Sequence, residues 1–160
     1  MATVSKVFIA NLALSFLGTR SKIESLTENS REAQSADLWY EITRKLVLER
    51  HDWGFARKRA VLAVDDEAAP NGVWAYRYVY PADCLKARRL QQPRYRIQRG
   101  YPYTNTDLVN VKDVPFEIEE SPDGVHRTLL TDLDDATLIY TRDLDDPTRY
   151  PQRSLTASVL

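Results

Sequence analysis

Hydrophobic and polar positions change period once along this chain. Val4, Phe8, Leu12 and Phe16 recur every four residues, and Val7, Ile9 and Leu14 widen the stripe. That spacing predicts a first helix over residues 4–17, with Thr3 as its cap and Gly18 as the residue that ends it. A polar link over 19–28 follows, anchored on the core by Ile23 and Leu26. Asn29-Ser30-Arg31-Glu32 resembles a capping box and predicts a second helix running to His51 or Asp52. Ala36, Trp39, Ile42, Leu46 and Trp53 share one face of it, whereas Arg31, Glu41, Arg44, Lys45 and Glu49 lie largely away. Two helices joined by such a loop are expected to pack antiparallel.

From Arg57 the period becomes two. Val61-Leu62-Ala63-Val64 reads as a strand, and Pro70-Asn71-Gly72 as a turn. Trp74, Tyr76, Tyr78 and Tyr80 alternate with Ala75, Arg77 and Val79, which predicts a strand with an aromatic, core-facing side. Pro81 ends it. Short strands are expected at 86–90, 95–99, 116–120 and 136–141, with a polar loop over 100–107 and a turn at 121–124. Asp146-Pro147 is placed to cap a last helix. The predicted architecture is therefore α+β: an N-terminal antiparallel helix pair packed with a small mostly antiparallel β-sheet, then a C-terminal helical segment. One domain is expected over 1–160, with a helical part at 1–56, a β-rich part at 57–145 and a C-terminal segment at 146–160.

Bulk composition narrows the class. With 43% hydrophobic and 28% charged residues over 160 positions, the chain is long enough and apolar enough to bury a core. A formal net charge of -1 provides no global field for nucleic acid or membrane. One cysteine, Cys84, excludes an internal disulfide and a multi-thiolate zinc site, in keeping with assembly in a reducing cytoplasm. No apolar run approaches the roughly 20 residues of a membrane span. The segment 7–17 is broken by Asn11 and Ser15 and lacks a small-x-small cleavage site, so it reads as an amphipathic helix rather than a signal peptide.

Candidate chemistry is sparse. His51-Asp52 is the one His/Asp neighbour pair, His126 is the other histidine, and no Gly-x-Ser-x-Gly flanks a nucleophile. Neither a catalytic set nor a cofactor is expected. Asp132, Asp134 and Asp135, with Asp143, Asp145 and Asp146, form acidic clusters without the glycine and closing glutamate of an EF-hand. They read as turn and strand-end carboxylates rather than metal ligands.

Charge distribution says more. Lys86, Arg88, Arg89, Arg94, Arg96 and Arg99 occur with no acid between Asp83 and Asp107, and Tyr95, Tyr101 and Tyr103 are interleaved. Arginine beside aromatics suits phosphate backbones and stacked bases, so a non-specific nucleic-acid-binding module using residues 86–103 is the alternative reading. From Asp107 to Asp146 the balance reverses, with twelve Asp or Glu against three Lys or Arg. A basic patch on one subunit facing an acidic one on the next favours head-to-tail contacts that close into rings. Arg88, Arg89, Arg94, Arg96 and Arg99, with Asp132, Asp134, Asp135 and Asp145, are the candidate inter-subunit charges.

The chain also resembles the phage head–tail adaptor group that includes the tail tubular protein A family. The resemblance runs through Ala13-Leu14-Ser15-Phe16-Leu17-Gly18, Ile23-Glu24-Ser25-Leu26-Thr27-Glu28, and Glu32-Ala33-x-x-Ala36-x-x-Trp39-Tyr40. It continues through Leu48-Glu49-Arg50-His51-Asp52-Trp53-Gly54-Phe55-Ala56, Tyr78-Val79-Tyr80-Pro81-Ala82-Asp83-Cys84-Leu85, Leu130-Thr131-Asp132 and Ala136-Thr137-Leu138-Ile139-Tyr140-Thr141. None of these is a catalytic motif; the match lies in their order over most of the chain. The resemblance implies a structural virion protein at the head–tail junction, a ring of about twelve copies. Its partners would be itself, the portal protein and the tail nozzle or tube, with a channel passing DNA and no membrane contact. Pro147, Tyr150 and Leu155 are the candidate portal contacts. Family members continue into a longer apolar C-terminal helix, whereas residues 152–160 here are short and polar.

Overall fold

The computed structural model of the protein describes residues 4–70, 72–91 and 114–151. Asn71 of the predicted turn, the predicted strand at 95–99 and the loop at 100–107 lie outside the described residues. The chain forms two compact units, Met1–Arg57 with Thr141–Leu160, and Lys58–Tyr140.

The first unit is built on two helices. α1 spans Lys6–Phe16, and Ser5 rather than Thr3 caps it, its hydroxyl accepting from the Phe8 N–H at 3.1 Å. Gly18, at φ 75°, closes the helix as expected, donating its N–H to the Ser15 carbonyl. α2 spans Arg31–Arg50 and is capped by Ser30. Glu28, not Glu32, completes that start: its carboxylate accepts from Ser30 Oγ and from the Glu24 N–H. Lys6 reaches Glu41 at 3.1 Å, so the start of α1 lies beside the middle of α2.

The buried face of α1 differs from the four-residue stripe that the sequence suggests. Phe8 is 39% and Phe16 59% exposed, while Ile9 and Ala10 are buried. Ala10 packs with Ile23 and Ala33, with Val7, Leu14, Leu26 and Ala36 around them. Small side chains at 10 and 33 let the elements approach closely, which a stripe of large residues would prevent. Asn11 locks the 19–28 link by a reciprocal pair, accepting from the Ile23 N–H at 2.9 Å and donating to the Ile23 carbonyl at 2.8 Å.

The predicted fold needs two corrections. In place of one small sheet, the described residues form two three-stranded antiparallel sheets, ordered β1-β6-β3 and β2-β5-β4. The strands are β1 (Arg57–Val61), β2 (Tyr76–Val79), β3 (Cys84–Gln91), β4 (Glu117–Glu120), β5 (Arg127–Thr131) and β6 (Thr137–Arg142). β1 starts at Arg57, ahead of the expected 61–64, because an edge strand tolerates Arg57, Lys58 and Arg59 in water. β5, absent from the sequence reading, is the central strand of the second sheet. It pairs Tyr78 with Leu129 on one side and Ile118 with Leu129 on the other.

The second correction concerns the C-terminal part. No C-terminal helix follows β6 among the described residues; the chain makes a single 3-10 turn at Pro147–Arg149. Asp146 does cap it, accepting from the Thr148 N–H at 3.0 Å. Pro151 then holds Tyr150 in extended backbone, φ -78° and ψ 124°, and stops helical growth.

Within the second unit both sheets contribute to one core. Leu62, Tyr78, Cys84, Leu90, Leu129, Ala136, Leu138 and Tyr140 are its buried members, and Tyr76 and Tyr80 pack against it. The alternating aromatic side of β2 thus faces inward, as its period predicts. Thr128, Leu129, Leu130 and Thr131 are all fully buried, so β5 is covered on both faces. Replacing Leu129 with alanine is expected to cost about 2–5 kcal/mol, whereas Leu46→Ala on exposed α2 surface should stay within about 0.5 kcal/mol. Urea denaturation followed by circular dichroism checks both.

Candidate assembly surface

Helix α2 leaves several large apolar side chains exposed. Leu38 is 64%, Trp39 59%, Ile42 49% and Leu46 60% exposed. At helical spacing these four form one ridge along the helix. The apolar face that the sequence groups around Trp39, Ile42 and Leu46 is therefore not the buried one: α2 buries Ala33, Arg44 and Leu48 instead. A 20-residue helix has room for both a buried stripe and an apolar outer one.

Beside the ridge runs a groove of about 480 Å³ between α1 and α2, walled by Ala13 and Leu14 on one side and Ala36 and Val47 on the other. Trp39 belongs to both features. Trp53, Phe55 and Tyr150 also line the groove, and their rings follow one another at centroid separations of 5.7 Å. The Trp53 indole N–H donates to the Val47 carbonyl at 2.9 Å, which fixes that ring against α2. The Tyr40 hydroxyl, also on the groove, is buried without a hydrogen-bond partner among the described residues. Burial pushes its pKa up to about 12.

Charged groups hold the side of α2 away from the ridge, where Arg44 also borders the groove. Arg44 is buried and donates to Glu41 at 2.7 Å, to Asp143, and to the Leu144 carbonyl at 3.0 Å. Lys6 bridges Glu41 at 3.1 Å and Asp145 at 2.8 Å. The Lys6 hydrogen bond holds the Asp145 carboxyl below its ordinary range. Burial works against ionisation of Glu41, but hydrogen bonds from Arg44 and Lys6 outweigh it and lower its pKa as well.

The predicted subunit-contact residues occupy varied places. Asp145 belongs to this intrachain network. Asp132 accepts from the Ala75 N–H at 3.0 Å, and Asp134 from the N–H of Asp135, which sits at φ 51°. All three of Asp132, Asp134 and Asp135 are exposed at the turn before β6, and no group of His, Cys, Asp and Glu is placed to hold a metal among the described residues. On β3, Arg89 is exposed and Arg88 half-buried, whereas Arg94, Arg96 and Arg99 lie outside the described residues. Of the predicted portal contacts, Pro147 opens the 3-10 turn, Tyr150 follows it and donates its hydroxyl to the Leu144 carbonyl, and Leu155 lies outside the described residues.

One serine–histidine–aspartate arrangement escaped the sequence reading. His126 Nε2 lies 3.1 Å from Asp65 and Nδ1 lies 3.3 Å from Ser121 Oγ. Its order suggests a hydrolase, but its geometry is that of a turn lock. Ser121 is 3% exposed, and its hydroxyl also bonds Asp123 and receives the His126 backbone N–H. A nucleophile so enclosed has no face to offer a carbonyl carbon. His51, the other histidine, lies edge-on to Trp53 at 4.8 Å, and Asp52 pairs with Arg57 at 2.8 Å.

Because Asp145 and Glu41 titrate lower in the folded chain than unfolded, their contribution is complete above the free carboxylate range, about pH 4. It is lost as pH falls through the folded values. Asp145→Asn should therefore melt below the wild type at pH 6, and the gap should close on acidification towards pH 2. Thermal melts across that range measure it.

No protein-family model matches this chain, and no curated protein is significantly similar to it.

Proposed function

We propose that this chain is a structural, non-enzymatic subunit of a phage head–tail adaptor, a ring that joins the portal to the tail and leaves a channel for DNA. The observation that carries the proposal is the apolar ridge of Leu38, Trp39, Ile42 and Leu46 on the surface of α2. Four large side chains left in water on one helix face are the mark of a surface that another protein covers. The resemblance of its ordered motifs to the adaptor group suggests the biological setting for that assembly.

In this role the protein works by association rather than turnover. Single copies meet through modest interfaces, and a portal ring gathers them at high effective concentration so that neighbours bind together. The charges at Asp132, Asp134, Asp135, Arg88 and Arg89 then set orientation and rate more than affinity.

Native mass spectrometry of the protein alone and mixed with the portal protein encoded in the same phage genome tests the proposal. Monomers or small oligomers that become a closed ring on the portal are the expected result. A folded chain that ignores the portal but retains short DNA at low salt, with a steep salt dependence, would replace the adaptor with the nucleic-acid module.

A further inference from the structure

Charge is divided between the two sheets. The strands of β1-β6-β3 hold seven Lys or Arg, three in β1, three in β3 and one in β6, and no Asp or Glu. Those of β2-β5-β4 hold three Glu, all exposed on β4, against Arg77 and Arg127. Inward residues fix where the cations of the second unit point. Ala60, Leu62, Leu138 and Tyr140 face the core, so alternation turns Arg59 outward. On β3 the inward residues are Cys84, Ala87 and Leu90, and Lys86, Arg88 and Arg89 fall between them. Lys58 is tied to Asp83 at 2.7 Å, and Arg88 is half-buried and partnered. Arg59, Lys86 and Arg89 are exposed, and no acid engages them among the described residues.

We infer that the β1-β6-β3 sheet meets the phosphate backbone of duplex DNA through Arg59, Lys86 and Arg89. The inference rests on the adaptor reading for where that DNA runs, and on the charge of the sheet for the contact itself. The formal net charge of -1 does not oppose it. At physiological salt a charge is felt over about 8 Å, so DNA at this sheet responds to these cations rather than to the whole chain. The glutamates of β4 repel DNA from the other sheet and so decide which way the unit faces. As an orienting charge between neighbours Arg89 acts at encounter, and it stays exposed to DNA in the finished ring.

Spacing favours a duplex over an acidic protein. Arg59 and the β3 cations stand on the two outer strands of the sheet, about 10 Å apart, and Lys86 and Arg89 are about 10 Å apart along β3. Duplex DNA carries a charge for about every 1.7 Å of its axis, so each cation finds a phosphate whatever the register. A folded acidic partner would have to place its carboxylates one by one. Single strands fit less well, because Tyr78 and Tyr140 are buried in the core and offer bases no ring to stack on. Phosphate contacts carry no sequence information, which suits a surface past which any sequence must move.

Fluorescence anisotropy of the full chain with two short labelled duplexes of unrelated sequence tests the contact. Both should bind equally, and affinity should fall about 40-fold between 50 and 200 mM salt, the slope of about three phosphate contacts. Arg59→Gln, Lys86→Gln and Arg89→Gln should each lower that slope by about 1. Arg20→Gln, an equal loss of charge at an exposed position of the 19–28 link, should leave it unchanged. Thermal melts confirm that the variants remain folded, and three separate sheet variants keep the test decisive if one does not. Absence of binding at low salt overturns the inference. So does a slope that the sheet variants leave intact, or that Arg20→Gln lowers as much. Polyglutamate that competes with the duplex charge for charge overturns it too, and gives the sheet to an acidic protein partner. Ring formation on the portal is scored separately by native mass spectrometry. A wild type that rings the portal and ignores DNA sinks this contact and leaves the adaptor standing. A wild type that binds DNA through this sheet and ignores the portal keeps the contact and sinks the adaptor.

Discussion

The structure of the first unit depends on a buried guanidinium. That unit is assembled from two distant stretches of chain, and Arg44 joins them by bonding Glu41 on its own helix and Asp143 and the Leu144 carbonyl beyond β6. Burying such a charge is costly unless every donor finds an acceptor. Here carboxylates and a carbonyl take up the fork, and Lys6 extends the network to the start of α1. The planar, multidentate geometry of arginine is what allows one side chain to hold three acceptors at once; a lysine would offer a point charge on a flexible stem.

That choice has a consequence on the far side of the helix. Because α2 is anchored through Arg44, Ala33 and Leu48, its larger apolar residues are turned outward. An alternative packing with Trp39, Ile42 and Leu46 inward would bury more apolar surface but would leave the arginine and its partners in water. The observed arrangement instead uses the charged groups for internal cohesion and leaves the apolar ones exposed. Such a division suits the proposed assembly role, in which the monomer must be soluble at low concentration and adhesive at high.

The second unit follows a more ordinary logic of alternation and burial. β5 is covered on both faces, and β2 turns its tyrosines inward while Arg77 on the other face pairs with Glu67 at 3.1 Å. Asp83, within the Tyr-Pro-Ala-Asp-Cys segment, accepts from the Tyr140 hydroxyl and from Lys58, each at 2.7 Å. Its burial and these bonds together set its ionisation, and the bonds keep its pKa below the ordinary carboxylate value. The motif that contributes to the family resemblance is thus a structural tie between β6, β1 and the turn before β3. The Ser121–His126–Asp65 arrangement is a tie of the same kind, holding the turn between β4 and β5 to the chain after β1.

Local signals in the sequence determined the approximate helix positions, the glycine stop after α1 and the inward tyrosines of β2. Each depends on a few consecutive residues and on backbone preferences that act at short range. Tertiary structure decided the rest. Periodicity shows that a helix has an apolar face but not which of two faces it buries, and the small residues Ala10 and Ala33, with Arg44, won over Phe8, Phe16 and Trp39. β5 was illegible because a strand covered on both sides has no alternation to read. Asp146-Pro147 predicted a helix from a good start signal, but Pro151 left it no length to grow. The candidate surface was the least legible part: its residues were visible as an apolar stripe, and only long-range charge pairing fixed that stripe on the outside.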